Sequence, residues 1–240
     1  IEDRLALRFA YEYQENDGYV FNPTLNDDRF DAQRMITQRL KLRWQATESF
    51  EAILSYSHTN NRGGEDFVRK ASFPAARVNL SGSPAGEGAQ HDNFGLRLNW
   101  DVNDLFRLES ETTLYIVDYF RVEDFDGSPA NLALTNNSVR PLSFEQDLQL
   151  KFQLENVSGV VGLFFTKIDD HSDTLGFSDV GFISGVAPNG IVFGSTNFTN
   201  GTTENIAVFG EVDIKADRWL PGLSFTVGAR YDFEQFDTFN

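Results

Sequence analysis

The chain alternates apolar and polar side chains with a period of two along most of its 240 residues. Leu5, Leu7 and Phe9, for example, alternate with Ala6 and Arg8. Successive side chains of a strand point to opposite faces, so this pattern predicts strands with one apolar and one polar face. Nine runs show it, at 4–13, 36–44, 50–57, 94–101, 106–116, 144–152, 157–167, 205–215 and 223–233.

The segments between these runs alternate strictly between short and long. The short ones are 46–49, 102–105, 154–156 and 216–222, and the long ones are 14–34, 60–93, 119–142 and 168–204. Long loops are uncommon in compact soluble domains. A barrel in a membrane has short turns on one side and long loops on the other, with strands of about 9–11 residues. The spacing favours such a barrel.

Aromatic residues cluster beside the short turns. A barrel carries a girdle of such rings where its apolar band meets water. The predicted girdle residues are Trp44, Phe50, Trp100, Phe106 and Trp219.

Charged side chains occupy the opposite face, deep within the runs. A wide barrel with an aqueous lumen tolerates charges there, whereas a sandwich does so only on an exposed face. The predicted lumen-facing charges are Arg39, Arg43, Arg97, Arg107, Glu109 and Glu111. The fold class is therefore all-β, an antiparallel up-and-down transmembrane β-barrel present as a partial, about nine-strand curved meander sheet. A soluble glycan-binding β-sandwich is the less favoured alternative.

Composition excludes several classes of function. The formal net charge of −16 offers no basic footprint for nucleic acid. The absence of cysteine excludes disulfides, zinc knuckles and thiol nucleophiles.

Four stretches resemble the β-barrel region of TonB-dependent receptors of the bacterial outer membrane. They are the Asp-Gly-Tyr segment at 17–22, the hairpin strand at 39–44, the strand pair at 144–150 and 159–165, and the hairpin at 204–211 and 228–231. Together they follow the order seen in the family. We expect residues 1–240 to be part of one barrel domain, from its early-to-middle strands, because we find no plug and no energy-coupling box in them.

The resemblance implies a 22-strand barrel closed around a plug. It implies active import of a scarce nutrient, most often a ferric siderophore, driven by a TonB-type coupling protein that acts through the plug. Outer-membrane lipid and lipopolysaccharide would surround the barrel. A passive porin-type channel remains an alternative, since charges in the lumen suit both.

Aromatic residues in the long segments are the candidate substrate-binding residues, namely Tyr19, Phe21, Phe125, Phe177 and Phe182. They would grip a ligand at the barrel mouth, or pack the loops against each other. Arg39, Arg43 and Arg97 would attract an anionic siderophore complex or, as we favour, pair with acids of a plug.

No catalytic, cofactor-binding or metal site emerges from the sequence, so no enzyme is expected. His58, His91 and His171 are interpreted as isolated and solvated, one at a strand end and two in loops. Glu109 and Glu111 share a face and would form an acid–base pair or, more simply, lumen charges near arginines. Clustered acids at 26–28 and 169–173 lack the spacing of a dedicated calcium loop.

Overall fold

A computed structural model describes residues 4–64 and 77–239. Within them the chain forms one antiparallel sheet and a single helical turn. The elements are β1 (Leu5–Asn16), β2 (Gln33–Gln45), β3 (Phe50–Gly64), β4 (Gly86–Asn103), β5 (Phe106–Asp124), β6 (Ala133–Val139), β7 (Leu142–Gln153), β8 (Val157–Asp179), α1 (Val180–Ile183), β9 (Val192–Lys215) and β10 (Ser224–Phe239). No helix among the described residues is long and apolar enough to cross a membrane.

The sheet is a meander with nine positions. β6 and β7 lie end to end between β5 and β8, and both strands pair with the same two neighbours. The break falls at Arg140 and Pro141, because proline has no amide hydrogen to donate to the ladder. Each of the nine predicted runs coincides with a strand, in the predicted order, and β6 is a tenth strand inside the segment 119–142 that was predicted to be a long loop.

Several strands are longer than the alternation indicates. β8 and β9 stay paired from Val157↔Ile214 to Asp179↔Val192. The prediction of a long loop at 168–204 is therefore wrong, since only 180–191 lie between these strands. The upper half of β9 contains Ser, Thr, Asn and Gly on both faces, so a strand there leaves no apolar–polar alternation to detect.

Register places the two kinds of side chain on separate faces. Leu7 pairs with Leu42, Leu42 pairs with Leu54, and Leu54 pairs with Leu96. These pairs form an apolar row across four strands. On the other face, Arg97 pairs with Glu111 of the next strand. We name these the apolar face and the charged face.

The apolar face has no covering layer among the described residues. Leu7 is 68% exposed, and the buried apolar residues number only six. A soluble sandwich would instead place a second sheet over this face. The six buried residues are Val20, Phe30, Val117, Ala133, Ala207 and Ala216.

Candidate ligand-binding mouth and barrel wall

The loop at 17–32 folds onto its own small core. Its segment at 19–22 alternates, with Tyr19 and Phe21 exposed and Val20 and Asn22 almost fully buried. Asp31 Oδ1 accepts hydrogen bonds from the amides of Tyr19 at 2.8 Å and Val20 at 2.7 Å. The alternation therefore packs one side of the segment and presents two aromatic rings on the other.

A buried polar network joins this loop to two others. Asn22 Nδ2 donates to the Ser81 carbonyl at 3.0 Å, and Ser81 Oγ donates to Asp124 Oδ2 at 2.5 Å. All three residues are at most 5% exposed. Buried polar groups of this kind are costly unless paired, so the network selects one arrangement of the three loops. We name Asn22, Ser81 and Asp124 the loop network.

Backbone pairing strengthens the contact between the first two loops. The Phe21 amide donates to the Arg77 carbonyl at 2.9 Å, and the Asn79 amide donates to the Phe21 carbonyl at 3.0 Å. The Arg77 guanidinium lies 4.8 Å from the centroid of the Tyr19 ring, within cation–π range. Tyr19, Phe21 and Arg77 thus form a mixed aromatic and cationic surface, which we name the mouth platform.

Asp126 organises the loop at 125–132, next to the exposed Phe125 ring. Its carboxylate accepts hydrogen bonds from the amides of Ser128 at 3.0 Å, Leu132 at 2.9 Å and Ala133 at 3.0 Å. Burial disfavours the charged form, but hydrogen bonds from Ser128, Ala133 and Leu132 outweigh it and hold the pKa of Asp126 below its usual range.

Asp179 has the same role in the connection at 180–191. It caps α1 by accepting from the Phe182 amide at 3.0 Å, and it also accepts from the Gly190 amide at 2.7 Å. Burial of Asp179 opposes its ionisation. The hydrogen bonds from the amides of Phe182, Asn189 and Gly190 outweigh this effect and hold the pKa of Asp179 below its usual range.

The five predicted substrate-binding aromatics are divided by the structure. Tyr19, Phe21 and Phe125 lie in two of the three loops that the loop network joins. Phe177 belongs to β8 and Phe182 to α1, so their placement in a structureless loop was wrong. Sequence reasoning missed Arg77 and the loop network. The turn signal at Asp126-Gly127-Ser128-Pro129 was the one available cue to the third loop.

Most charges of the charged face are paired between neighbouring strands. Arg97 holds Glu111 with Nη2 and Oε2 at 2.8 Å, and Nε and Oε2 at 3.2 Å. Glu109 accepts from Lys151 at 2.6 Å and lies 2.9 Å from Arg107 Nε. Glu109 and Glu111 therefore each have a cationic partner of their own. Arg43 likewise pairs with Glu51 of the next strand, so neither Arg43 nor Arg97 depends on a plug acid for its ion pair.

A second group of cations has no such partner within the described residues. Arg8 pairs in register with Lys41, and Arg39 lies opposite Ala10 and Ser57. These three exposed side chains form no ion pair with any carboxylate of 4–64 and 77–239. They make a cationic strip on β1 and β2, named here the basic strip, in a chain that carries a net charge of −16.

All three histidines lie in strands and have partners, so their interpretation as isolated residues was wrong. His58 Nδ1 is 2.9 Å from Asp92 Oδ1, and His91 Nδ1 is 2.7 Å from the Tyr115 hydroxyl. His171 belongs to β8 instead of a loop. Across the described part of the chain, no group of three His, Cys, Asp or Glu residues could hold a metal ion.

The predicted girdle aromatics gather at the short-turn end of the sheet. Phe50 pairs in register with Trp100, and two residues further along β3 Ala52 pairs with Trp44. Phe106 begins β5, and Trp219 lies in the turn before β10 and is 79% exposed. Their assignment to a membrane boundary stays a prediction, now with the rings at one level of the sheet.

A long antiparallel meander with one uncovered apolar face and one charged face defines the wall of a membrane β-barrel. The family model described as TonB dependent receptor-like, beta-barrel matches residues 69–240. The chain belongs to this family, whose members lie in the outer membrane of Gram-negative bacteria. Apolar side chains face lipid in barrels of this kind, and the lumen-facing position of the charged face stays a prediction.

Solved structures of the same architecture agree in fold. The ferric yersiniabactin uptake receptor FyuA from Yersinia pestis is 15% identical, with a TM-score of 0.70 over 99% of this chain and 39% of that one. The ferric citrate transporter FecA is 12% identical, with a TM-score of 0.66 over 97% of this chain and 33% of that one. The ferric-catecholate import receptor Fiu from E. coli K12 is 12% identical, with a TM-score of 0.62 over 99% of this chain and 41% of that one.

The chain therefore spans about a third to two fifths of the length of these three structures. No curated protein sequence matches it.

Proposed function

We propose that the chain is part of the barrel of an outer-membrane active-transport receptor that imports a ferric siderophore. In this proposal residues 1–240 belong to one larger barrel domain, a plug occupies its lumen, and a TonB-type protein supplies energy through the plug. The family match and the ferric-ligand receptors among the structural neighbours support it.

The mouth platform is the observation that carries the ligand class. Arg77 lies against the Tyr19 ring, beside the exposed Phe21, on loops that the loop network already packs. Rings bind the apolar and aromatic parts of a chelator, and a guanidinium binds its carboxylate or catecholate oxygens. A site that is already ordered also avoids the entropic cost of ordering loops upon binding.

The basic strip supports an anionic ligand in the same way. Arg8, Arg39 and Lys41 face the lumen side without carboxylates across the strands. Cations that line a cleft raise the local concentration of anions and speed their entry. Acidic residues of a plug would form ion pairs with the same three cations. The basic strip therefore contacts either an anionic ligand in transit or the plug surface beside it.

Uptake by the full-length receptor that contains this chain tests the proposal. A strain lacking the gene, grown under iron limitation, is expected to lose accumulation of one class of radiolabelled ferric siderophore. Accumulation should also stop when the TonB-type protein is deleted. Uptake that persists without that coupling protein and rises linearly with concentration would indicate a passive channel and would contradict active transport.

A further inference from the structure

The chain contains two Asn-Gly dipeptides, Asn189–Gly190 and Asn200–Gly201. This dipeptide is chemically unstable, because glycine has no Cβ to shield its amide nitrogen from the carbonyl carbon of the preceding side chain. The structure places the two copies in different surroundings. One lies in the connection at 180–191, and the other lies inside β9.

The copy inside β9 is fixed by the ladder. Asn200 pairs with His171 of β8 and with Phe239 of β10, and Gly201 also has a partner on each side. For attack, the glycine nitrogen must approach the side chain of the preceding residue in a suitable orientation. A backbone that is paired between two strands does not turn in this way, so Asn200 is protected while the sheet is intact.

The copy at 189–190 lies in water, far beyond the apolar band. A strand rises about 3.3 Å per residue, and a tilt of about 40° leaves roughly 2.5 Å of height for each. The 23 residues of β8 span about 55 Å of height, whereas the apolar band is about 25 Å tall. Asn189 and Gly190 are both exposed. Gly190 has a φ of 76°, and a Cβ atom there would meet nothing within 4 Å.

Hydrogen bonds hold both groups that would react. The Gly190 amide donates to Asp179 Oδ2 at 2.7 Å, and the Ile191 amide donates to Asn189 Oδ1 at 2.9 Å. The Asn189 amide lies 3.2 Å from each oxygen of Asp179. Asp179 is only 4% exposed, so its carboxylate depends on these protein donors more than on water.

The bond from Gly190 to Asp179 opposes the attack. The glycine nitrogen must give up its proton before it attacks a carbonyl carbon. A carboxylate that accepts this proton in a charge-assisted hydrogen bond stabilises the N–H form and repels the negative charge that its loss would create. Local opening of the connection breaks the bond and releases the nitrogen.

We propose that Asn189 and Gly190 form a latent deamidation site that Asp179 keeps closed. When the connection opens, the Gly190 nitrogen loses its proton to solvent hydroxide and bonds to Asn189 Cγ. The bond from Cγ to Nδ2 breaks, the nitrogen takes a proton from water and leaves as ammonia, and a succinimide ring remains. Water then adds to either ring carbonyl and breaks one C–N bond, which gives an aspartate or an isoaspartate.

The product does not close as the asparagine did. The backbone nitrogen of residue 189 lies beside Asp179, so a new carboxylate on that residue places two like charges close together. An isoaspartate also lengthens the main chain by one carbon. Both products weaken the hydrogen bonds that Asp179 accepts, so the modification opens the tip of the β8–β9 hairpin irreversibly. This site is independent of the transported ligand.

Incubation of the full-length receptor in detergent at mildly alkaline pH tests the site. Digestion followed by fragment-ion mass spectrometry separates the two asparagines. Asn189 should deamidate faster than Asn200, but at least about fivefold more slowly than in a synthetic peptide of residues 186–193. A rate equal to that of the peptide would overturn the closed state, and faster reaction at Asn200 would overturn the choice of site.

Asp179→Ala tests the role of the carboxylate. Deamidation of Asn189 should accelerate by at least about fivefold, while that of Asn200 stays unchanged. Asp217→Ala is the matched control, since Asp217 Oδ1 accepts from the Gly222 amide at 2.8 Å in another turn. An unchanged or slower rate at Asn189 in Asp179→Ala would overturn the proposal. The comparison of the wild-type receptor with the peptide stands even if this variant fails to assemble.

Asn189→Asp tests the consequence of the modification. Proteolysis at 180–191 should be about threefold faster than in the wild-type receptor, because of the added like charge beside Asp179. Asn200→Asp adds the same charge within the ladder and should leave this cleavage unchanged. Equal cleavage of the wild-type receptor and Asn189→Asp would overturn the opening of the tip.

Discussion

Ser81 donates its hydroxyl to the Asp124 carboxylate at 2.5 Å, and this bond joins two loops whose residues are 43 positions apart. Both side chains are buried. The neighbouring bond from Asn22 to the Ser81 carbonyl adds the first loop. The mouth of the barrel therefore has a small polar core of its own, separate from the ladder of the strands.

Replacing Ser81 with alanine should loosen this core. Asp124 would lose one of its donors while it stays buried, which costs about 1–3 kcal/mol of local stability. Hydrogen exchange of the full-length receptor should show faster exchange at 19–31 and 125–132. Ser83→Ala is the matched control, since the bond from Ser83 to Asn131 is exposed and worth little. Equal exchange in the two variants would contradict the role of the loop network.

Acid should loosen the connection at 180–191 through Asp179. Its pKa is depressed in the folded state by backbone donors. A depressed carboxyl pKa gives stability that is complete above the unfolded value of about 3.9 and is lost as the pH falls through the folded value. Proteolysis of this connection should therefore be constant from neutral pH to about 5 and should accelerate below about 4.

Asp179→Asn is the control for this effect. The amide keeps one acceptor oxygen without a titratable proton, so cleavage at 180–191 should be faster throughout and nearly independent of pH. A wild-type profile that is flat through the acid range would contradict the prediction.

The two faces of β4 should respond oppositely to an added charge. Leu96 lies on the apolar face about 10 Å above Trp100, near the middle of the band. Leu96→Arg should cost about 2–4 kcal/mol of unfolding free energy. Asn93→Arg, on the charged face of the same strand, should change it by less than about 0.5 kcal/mol. Denaturant unfolding of the full-length barrel in bilayers measures both, and equal destabilisation would mean that the faces are assigned incorrectly.

Ligand affinity should depend on the exposed rings of the mouth platform. Tyr19→Ala with Phe21→Ala should reduce binding of the ferric siderophore by about tenfold, as expected for the loss of two exposed aromatic contacts. The loop should stay folded because Val20 and Asn22 carry its packing. Calorimetry measures the affinity, and Tyr11→Ala on the apolar face is the control. An unchanged affinity in the double variant would remove the platform from the binding site.

Alternation predicted the sheet well where its two sides meet different solvents. Leu40, Leu42 and Trp44 alternate with Arg39, Lys41 and Arg43, and the structure separates them onto two faces. The same logic failed at 168–179 and 192–204, where the strands continue beyond the apolar band. Both faces of those segments are mostly polar, with only scattered apolar residues, so the residues that extend the ladder look like loop residues in the sequence.

Sequence reasoning placed Glu109 and Glu111 near arginines, as the structure has them, but it did not identify which residues pair or how the loops meet. Arg97 was expected to pair with a plug acid, but the register of β4 and β5 places Glu111 directly across from it. Arg77 and Tyr19 approach each other because Phe21 pairs with Val78, a contact between distant segments.

The order of residues alone predicted nine of the ten strands, their order and the side chains that share each face, because these depend on a period of two and on local turns. Only the tertiary structure decided which charges are neutralised, where the strands end and how Asn22, Ser81 and Asp124 meet. Those features depend on register and on contacts between residues far apart in the chain. No local pattern encodes such contacts.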